Sequence, residues 1–113
     1  MAFADKVQVP GDSDTYQISS QVKKYTLRDL GFDLKPNGTF VYEGSLDPTS
    51  PFEAVAKLKI TFKKDLGSFK MDTVNKSGSA TVNIFKHARA DEFTTQYRFI
   101  LDEMVKRGVF EKV

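Results

Sequence analysis

The residues best suited to chemistry stand in a short segment that contains two prolines. Asp47 offers a carboxylate there, Thr49 and Ser50 offer hydroxyls, and proline occupies positions 48 and 51. Because proline cannot donate a hydrogen bond to a central β-ladder, residues 45–51 are predicted to form a loop. Loops stiffened in this way often hold binding groups in fixed positions, so Asp47, Thr49 and Ser50 are candidate binding residues. The alternative is that Asp47 and Ser50 bond only to their own backbone in a turn.

His87 is the single histidine of the chain and a further candidate binding residue. A metal site built on it would need carboxylate ligands, and only Asp91 stands at a helical spacing from it. The alternative is a solvated residue where a strand gives way to a helix. Asp12 and Asp14 lack the ligand series of a calcium loop and are predicted to form a turn. No metal site is predicted.

A basic face is predicted on one strand, where Lys57, Lys59 and Lys63 alternate with apolar residues. Such a face could bind an acidic partner or RNA phosphate. The alternative is a solvated strand edge whose lysines prevent aggregation. A net charge of only +2 and the missing RNA-recognition signature do not favour nucleic acid as a partner.

Composition excludes several other kinds of chemistry. The 113 residues suit a single domain over residues 1–113, and 40% hydrophobic residues are typical of a folded chain. The absence of cysteine excludes disulfides, thiolate metal sites and cysteine nucleophiles. No glycine-rich phosphate loop occurs, so no cofactor is predicted. Residues 1–6 lack an apolar run, so a cytoplasmic location without a membrane span is expected.

The polar candidates must be positioned by a largely β framework. Alternation and turn residues predict strands within residues 6–9, 15–18, 22–34, 39–44, 57–64, 69–74 and 80–85. Asn37 and Gly38 favour a hairpin turn because both tolerate a positive φ angle. The tail, residues 109–113, is predicted to dock as a short strand.

Residues 90–107 have the pattern of an amphipathic helix. Apolar side chains recur there at intervals of three and four residues, at Phe93, Tyr97, Ile100, Leu101, Met104 and Val105. Gly108 is predicted to end the helix. With 10 Phe and 4 Tyr to place, a second sheet or a partner must cover any open sheet face. The predicted fold class is therefore α+β, with antiparallel sheets, two rather than one, packed on a single C-terminal helix.

Four segments together resemble a known family. They are KKYTLRD at 23–29, SLDPTSPF at 45–52, LKITF at 58–62 and VNIFK at 82–86. These segments are similar to domain of unknown function 1831, a family of small uncharacterised proteins from lactic acid bacteria. The resemblance implies two β-sheets packed against one helix and a role in amino-acid metabolism. It names no reaction and transfers no catalytic residue.

Three functions follow as hypotheses. The first is a non-catalytic accessory or binding protein of amino-acid metabolism, which binds a protein partner or a small metabolite and is compatible with a homodimer. The second is a small enzyme of amino-acid or sulfur metabolism, whose site is completed by oligomerisation and uses His87 or Asp47 for proton transfer. The third is an RNA-binding module that uses the lysine strand.

Overall fold

The computed structural model describes residues 3–47, 49 and 55–113, and this part of the chain forms two antiparallel sheets and two α-helices. The smaller sheet contains, in the order β1-β2-β7, the strands β1 (Lys6–Val7), β2 (Tyr16–Ile18) and β7 (Phe110–Lys112). The larger sheet contains, in the order β3-β4-β5-β6, the strands β3 (Asp33–Leu34), β4 (Phe40–Ser45), β5 (Lys57–Phe62) and β6 (Phe69–Val74). The helices are α1 (Lys24–Asp29) and α2 (Ala90–Lys106).

Strands β4, β5 and β6 give the larger sheet two different faces. Tyr42, Ile60 and Met71 lie opposite one another in register, and their side chains belong to the hydrophobic core or pack against it. The next residues along the strands point outward, so that Lys59 lies between Glu43 and Asp72. The sheet therefore has an apolar inner face and a charged outer face.

The core lies between the inner face of the larger sheet, the smaller sheet and α2. Phe110 of β7 packs on Phe62 and Phe69, with ring centroids 5.6 and 4.9 Å apart. Helix α2 adds the buried side chains Phe93, Tyr97, Ile100, Leu101 and Met104. The predicted fold class is confirmed: two antiparallel sheets and one main C-terminal helix.

The predicted C-terminal helix and its end are also confirmed. Gly108 has a φ angle of +76° and donates to the carbonyl of Val105, while Val109 donates to that of Met104. This is the hydrogen-bond pattern of a Schellman motif, in which glycine takes the left-handed position without a steric penalty.

The predicted strand over residues 22–34 is wrong, because Lys24–Asp29 forms α1 and only Asp33–Leu34 forms a strand. Gly31 ends the helix with a φ angle of +100° and donates to Arg28, while Phe32 donates to Leu27. The alternation that suggested a strand was only a few residues long. Leu27 is fully buried in the core and Tyr25 is 63% exposed. Tertiary packing and the glycine cap thus override a weak local preference.

The predicted strand over residues 80–85 is wrong as well. Only Thr81 pairs there, in an isolated bridge with Val74, and a 3₁₀-helix follows at Ile84–Lys86. The side chain of Asn83 accepts a hydrogen bond from the backbone of Phe85 and so caps this short helix. Local bonds of this kind compete with a β-ladder.

Candidate functional site

The outer face of the larger sheet carries a compact group of polar side chains. Lys59 and Thr61 of β5 lie directly opposite Asp72 and Lys70 of β6. Strand alternation sends all four side chains outward, since the residues between them fill the core. Residues directly opposite in such a ladder have Cβ atoms about 5 Å apart, so the four can act on one ligand. We call these four residues the sheet-face site.

A cavity of about 200 Å³ opens above the sheet-face site. Its far wall is the turn formed by residues 78–81. The side-chain oxygen of Asn75 accepts hydrogen bonds from the backbone N–H groups of Ser79 and Ala80, at 3.1 and 3.4 Å, which holds this wall in place. A second hollow, towards β3, shares Lys59, Thr61 and Lys70 with the first. The two form one groove across the sheet face.

The charges of the sheet-face site form no ion pairs with the described residues around them. Oδ1 of Asp72 is buried and receives no hydrogen bond within the part of the chain that the structure describes. Burial raises the pKa of Asp72, an effect that nearby positive charges, Lys70 and Lys59 among them, only partly offset. Neither lysine forms an ion pair with a described carboxylate. Asp72, Lys59 and Lys70 therefore line one cavity without an ion pair to a described residue, and the ammonium of Lys70 lies 5.0 Å from the ring centre of Phe3.

The basic face predicted from the sequence is divided in the structure. Lys57 and Lys59 lie on the outer face of β5, as the alternation predicts. Lys63 follows the end of the strand, and its Nζ lies 5.1 Å from the ring centre of Phe3. Asp72 was not predicted as a site residue, since its position beside Lys59 depends on a strand register that one sequence does not reveal. The binding roles of the three lysines stay predictions.

The predicted loop candidates meet a residue that sequence analysis did not single out, Arg89. Asp47 is almost fully buried and accepts from Arg89 through both oxygens, at 2.7 and 3.2 Å. The hydroxyl and backbone N–H of Thr49 also donate to Asp47, at 2.7 and 3.1 Å. Arg89 donates in addition to Glu92 in the first turn of α2. This Asp47–Arg89 clamp ties the loop to the start of the C-terminal helix.

Electrostatics make the clamp a stable ion pair. The hydrogen bonds from Arg89, followed by that from Thr49, hold the pKa of Asp47 well below its usual range. Arg89 likewise lowers the pKa of Glu92. A carboxylate in this state stays ionised near neutral pH and has its oxygens occupied, so the geometry favours a positioning role for Asp47.

His87 lies beside the clamp and contacts it through the backbone of Arg89. Its Nδ1 accepts the Arg89 backbone N–H at 3.0 Å, which leaves Nε2 to carry the proton of the neutral ring. The imidazole packs against Phe93, with ring centroids 4.9 Å apart. The structure thus brings Asp47, Thr49 and His87 to one corner of the molecule, while Ser50 lies outside the described residues. Their binding roles stay predictions.

Replacing Asp47 with asparagine is expected to lower the melting temperature at about pH 7 and to reduce the sensitivity of stability to acid. Asparagine keeps an oxygen for the Thr49 N–H but removes the charge that faces Arg89. Since folding lowers the pKa of Asp47 from 3.8, its contribution is present above that pH and is lost progressively below it. Thermal unfolding at about pH 7 and pH 3 measures both effects.

Asp91→Asn is the matched control for this variant. Asp91 is an exposed acid in the first turn of the same helix. An equal loss of melting temperature in both variants, or a loss in Asp47→Asn that does not shrink with acid, would contradict the clamp.

A second ionic network was not predicted as such, and it lies at the core. The side chain of Asp12 is completely buried and pairs with Arg98 of α2 through both carboxylate oxygens. The hydroxyl of Tyr97 donates to Asp12 at 2.6 Å, and Arg98 also contacts Tyr16 and Asp14, at 3.2 and 3.1 Å. The predicted turn is present, since Asp14 donates its backbone N–H to Asp12. No local pattern could show the partner, which lies 86 residues away.

The charges in this second network are satisfied. Burial alone would raise the pKa of Asp12, but the hydrogen bonds from Arg98 and Tyr97 outweigh it and lower the pKa. Burial, and then the bond to Asp12, raise the pKa of Tyr97, which therefore stays a hydrogen-bond donor. A closed network of this kind fixes α2 against residues 12–16 and leaves no group poised for catalysis.

Two further kinds of feature do not occur among the described residues. They contain no group of three His, Asp or Glu side chains arranged to hold a metal ion. None of the helices found in them is long and apolar enough to cross a membrane.

Comparison with known proteins places this chain in a family. The model of domain of unknown function 1831 (DUF1831), described as "Putative amino acid metabolism", matches residues 1–111. The crystal structure of a DUF1831 protein from Lactobacillus plantarum shares 45% sequence identity with this chain and has a TM-score of 0.91, covering 100% of this chain and 99% of the other. Among curated proteins, none matches. The predicted resemblance is confirmed, and the chain belongs to the DUF1831 family.

Proposed function

We propose that the protein is a non-catalytic binding module of the cytoplasm, and that its sheet-face site binds a free α-amino acid. The observation that carries this proposal is the set of adjacent charges there, Asp72, Lys59 and Lys70, which line one cavity and form no ion pair with a described residue. The family description, with its reference to amino-acid metabolism, agrees with such a ligand.

The charges suit a zwitterion better than a simple anion or cation. A free amino acid carries an ammonium and a carboxylate on one carbon. The ammonium would pair with the carboxylate of Asp72, and the ligand carboxylate would pair with Lys59 and Lys70. Asp72 forms no ion pair with a described residue and burial disfavours its charge, so a bound ammonium would stabilise the ionised carboxylate.

The size of the cavity also favours a small ligand. Pockets for drug-sized molecules usually enclose about 300–1,000 Å³, and the cavity above the sheet-face site encloses about 200 Å³. The groove continues towards β3, which leaves space for an amino-acid side chain along the sheet.

A binding role fits the groups present better than catalysis does. General acid–base chemistry needs a proton-transfer group within reach of its substrate. His87 lies at the start of α2, whose apolar stripe packs on the inner side of the sheet, whereas the sheet-face site lies on the outer side. Lysines and an aspartate that lie side by side on the sheet face supply electrostatic recognition without a nucleophile and its base.

Replacing Asp72 with asparagine is expected to weaken amino-acid binding about tenfold or more while leaving the protein at least as stable as the wild type. The pKa of Asp72 is raised by burial, so folding disfavours its charged form, and the destabilisation is present above that raised pKa and absent at low pH. Asparagine removes this cost at neutral pH. Isothermal titration calorimetry with a panel of L-amino acids, together with thermal unfolding, measures both effects.

Asp102→Asn is the matched control, because Asp102 is an exposed acid of α2 that lines neither hollow of the groove. We expect it to bind amino acids as the wild type does. N-acetyl amino acids and amino-acid methyl esters each lack one of the two charges and should bind wild-type protein weakly. The proposal fails if no amino acid binds at millimolar concentration, or if these derivatives bind as tightly as the free amino acids.

A further inference from the structure

A second group of unpaired charges lies at one corner of the larger sheet, beyond the sheet-face site. Lys24 begins α1, and Lys63 and Lys64 follow β5. Together with Phe3 they line an open hollow of about 620 Å³. We call Phe3, Lys24, Lys63 and Lys64 the lysine corner.

Phe3 is fixed in this corner by its neighbour in the chain. Ala4 forms a bridge with Phe69 at the edge of β6, through backbone hydrogen bonds of 2.9 and 2.8 Å. The ammonium groups of Lys63 and Lys70 then lie 5.1 and 5.0 Å from the ring centre of Phe3. Both distances are within the range of a cation–π interaction, so one ring orients two positive charges.

Lys64 is positioned by a glycine in the neighbouring hairpin turn. A Cβ atom on Gly38 would lie 2.9 Å from Cδ of Lys64, so the lysine stem passes directly over this residue. Gly38 also has a φ angle of +90°, which other residues rarely adopt. The turn that carries the lysines is held by Leu66, which donates to the carbonyl of Lys63 at 2.9 Å. Because these contacts already restrict the lysine side chains, less side-chain entropy would be lost when a ligand binds.

Positive charges outnumber negative ones in the lysine corner, within the part of the chain that the structure describes. Lys24, Lys63 and Lys64 form no ion pair with any described carboxylate. Asp65 lines the same hollow, where its carboxylate accepts the backbone N–H of Gly67 at 2.9 Å and offsets only part of the positive charge of the three lysines. In a chain with a net charge of only +2, such a local excess of like charge favours an anionic ligand.

We propose that the lysine corner binds a nucleotide that carries two or three phosphates. Lysine binds phosphate as a point charge, and three lysines suit a chain of phosphates better than a single one. The walls of the hollow are mostly apolar, formed by Phe3 and the lysine stems, which suits the flat base of a nucleotide. Lys70 borders both this corner and the sheet-face site, so the two ligands would lie side by side.

The double variant Lys63→Gln/Lys64→Gln tests the phosphate contacts. Titration of the wild type with ATP at low salt and without divalent metal ions should show binding that weakens as salt is added. The double variant should bind ATP about tenfold or more weakly. Lys86→Gln/Lys106→Gln removes the same charge from exposed lysines elsewhere and should change the affinity less than about twofold.

Other probes separate the two parts of the ligand. Phe3→Leu should weaken the binding of ATP more than that of inorganic tripolyphosphate, because the ring would contact the base and also orients Lys63, and adenosine alone should bind weakly. Equal losses in the two double variants would overturn the proposal, as would wild-type protein that does not bind ATP at millimolar concentration. An RNA oligonucleotide that binds more tightly than ATP and is equally sensitive to Lys63→Gln/Lys64→Gln would also overturn it, in favour of an RNA surface.

Discussion

Replacing Arg98 with methionine is expected to destabilise the protein by about 3 kcal/mol at neutral pH. Methionine retains most of the apolar stem of arginine but leaves the carboxylate of Asp12 buried without its cation. Breaking a buried ion pair from one side typically costs about 3–5 kcal/mol, and the 29% exposure of the Arg98 side chain favours the lower end. Urea unfolding at about pH 7 measures the loss as a shift in the midpoint.

The same variant should show a characteristic dependence on pH. In the wild type the hydrogen bonds from Arg98 and Tyr97 keep the pKa of Asp12 low, in opposition to burial. Without Arg98, burial prevails and the folded-state pKa rises above the unfolded one. The destabilisation is then greatest above the raised pKa and diminishes as the pH falls.

Two further variants test the cause of this loss. Arg107→Met removes an exposed arginine whose ion pair with Asp29 spans 3.7 Å, and it should cost about 0–1 kcal/mol. Asp12→Asn in the Arg98→Met background removes the buried charge and should restore part of the stability. Equal losses of stability in Arg98→Met and Arg107→Met would show that the buried network of Asp12 and Arg98 does not stabilise the fold more than an exposed ion pair does.

The sequence predicts correctly those elements in which buried and exposed residues alternate with a regular period. In β5, partly exposed lysines alternate with buried Leu58 and Ile60, and apolar residues keep to one face over the six residues of the strand. In α2, Tyr97 and Leu101 repeat at helical spacing over 17 residues. Periods of this length exceed chance variation, so both elements were predicted at nearly their observed positions.

The two segments whose secondary structure was wrongly predicted form short elements. Their conformation depends on non-local contacts or on side-chain hydrogen bonds. Helix α1 has six residues, and its identity depends on the cap at Gly31 and on Leu27 reaching the core. The side chain of Asn83 accepts the backbone N–H of Phe85, and this bond caps the 3₁₀-helix that precedes α2. Apolar alternation over so few residues does not distinguish these outcomes from a strand.

The candidate site residues show the same difference between local and non-local signals. Asp47 and Thr49 were identified because proline and hydroxyl residues mark a loop within a few positions. Their partner Arg89 lies 42 residues from Asp47 along the chain, and no local pattern joins them. The same limit hides the contact between Asp12 and Arg98 and the position of Asp72 across from Lys59.

The charged clusters also differ in a way that matters for function. Asp47 and Asp12 are each neutralised by an arginine and several hydrogen bonds, as expected of groups that hold elements together. Asp72 has no such partner among the described residues and faces a cavity. Unsatisfied polar groups are costly and are often found where a protein exchanges stability for binding. This contrast favours the sheet face, and not either arginine network, as the place where a ligand binds.

Replacing Phe62 with alanine is expected to cost about 4 kcal/mol, the largest loss of any variant considered. Phe62 is fully buried and its ring packs on Phe69, Phe110 and Phe32, with centroids 5.5, 5.6 and 5.7 Å apart. Alanine would remove the ring that joins the larger sheet to β7, so the loss combines a cavity with missing aromatic contacts. Urea unfolding at neutral pH measures it as a fall in midpoint.

Two controls separate the role of the Phe62 ring from the removal of a phenylalanine in general. Phe99 of α2 is 63% exposed, so Phe99→Ala should change the free energy of unfolding by less than about 1 kcal/mol. Phe62→Leu keeps the site apolar and should cost less than the alanine variant. Since domains are commonly stable by about 5–15 kcal/mol, Phe62→Ala could consume most of the margin. A small loss in Phe62→Ala, comparable with that of Phe99→Ala, would mean that the two sheets are held together without this aromatic cluster.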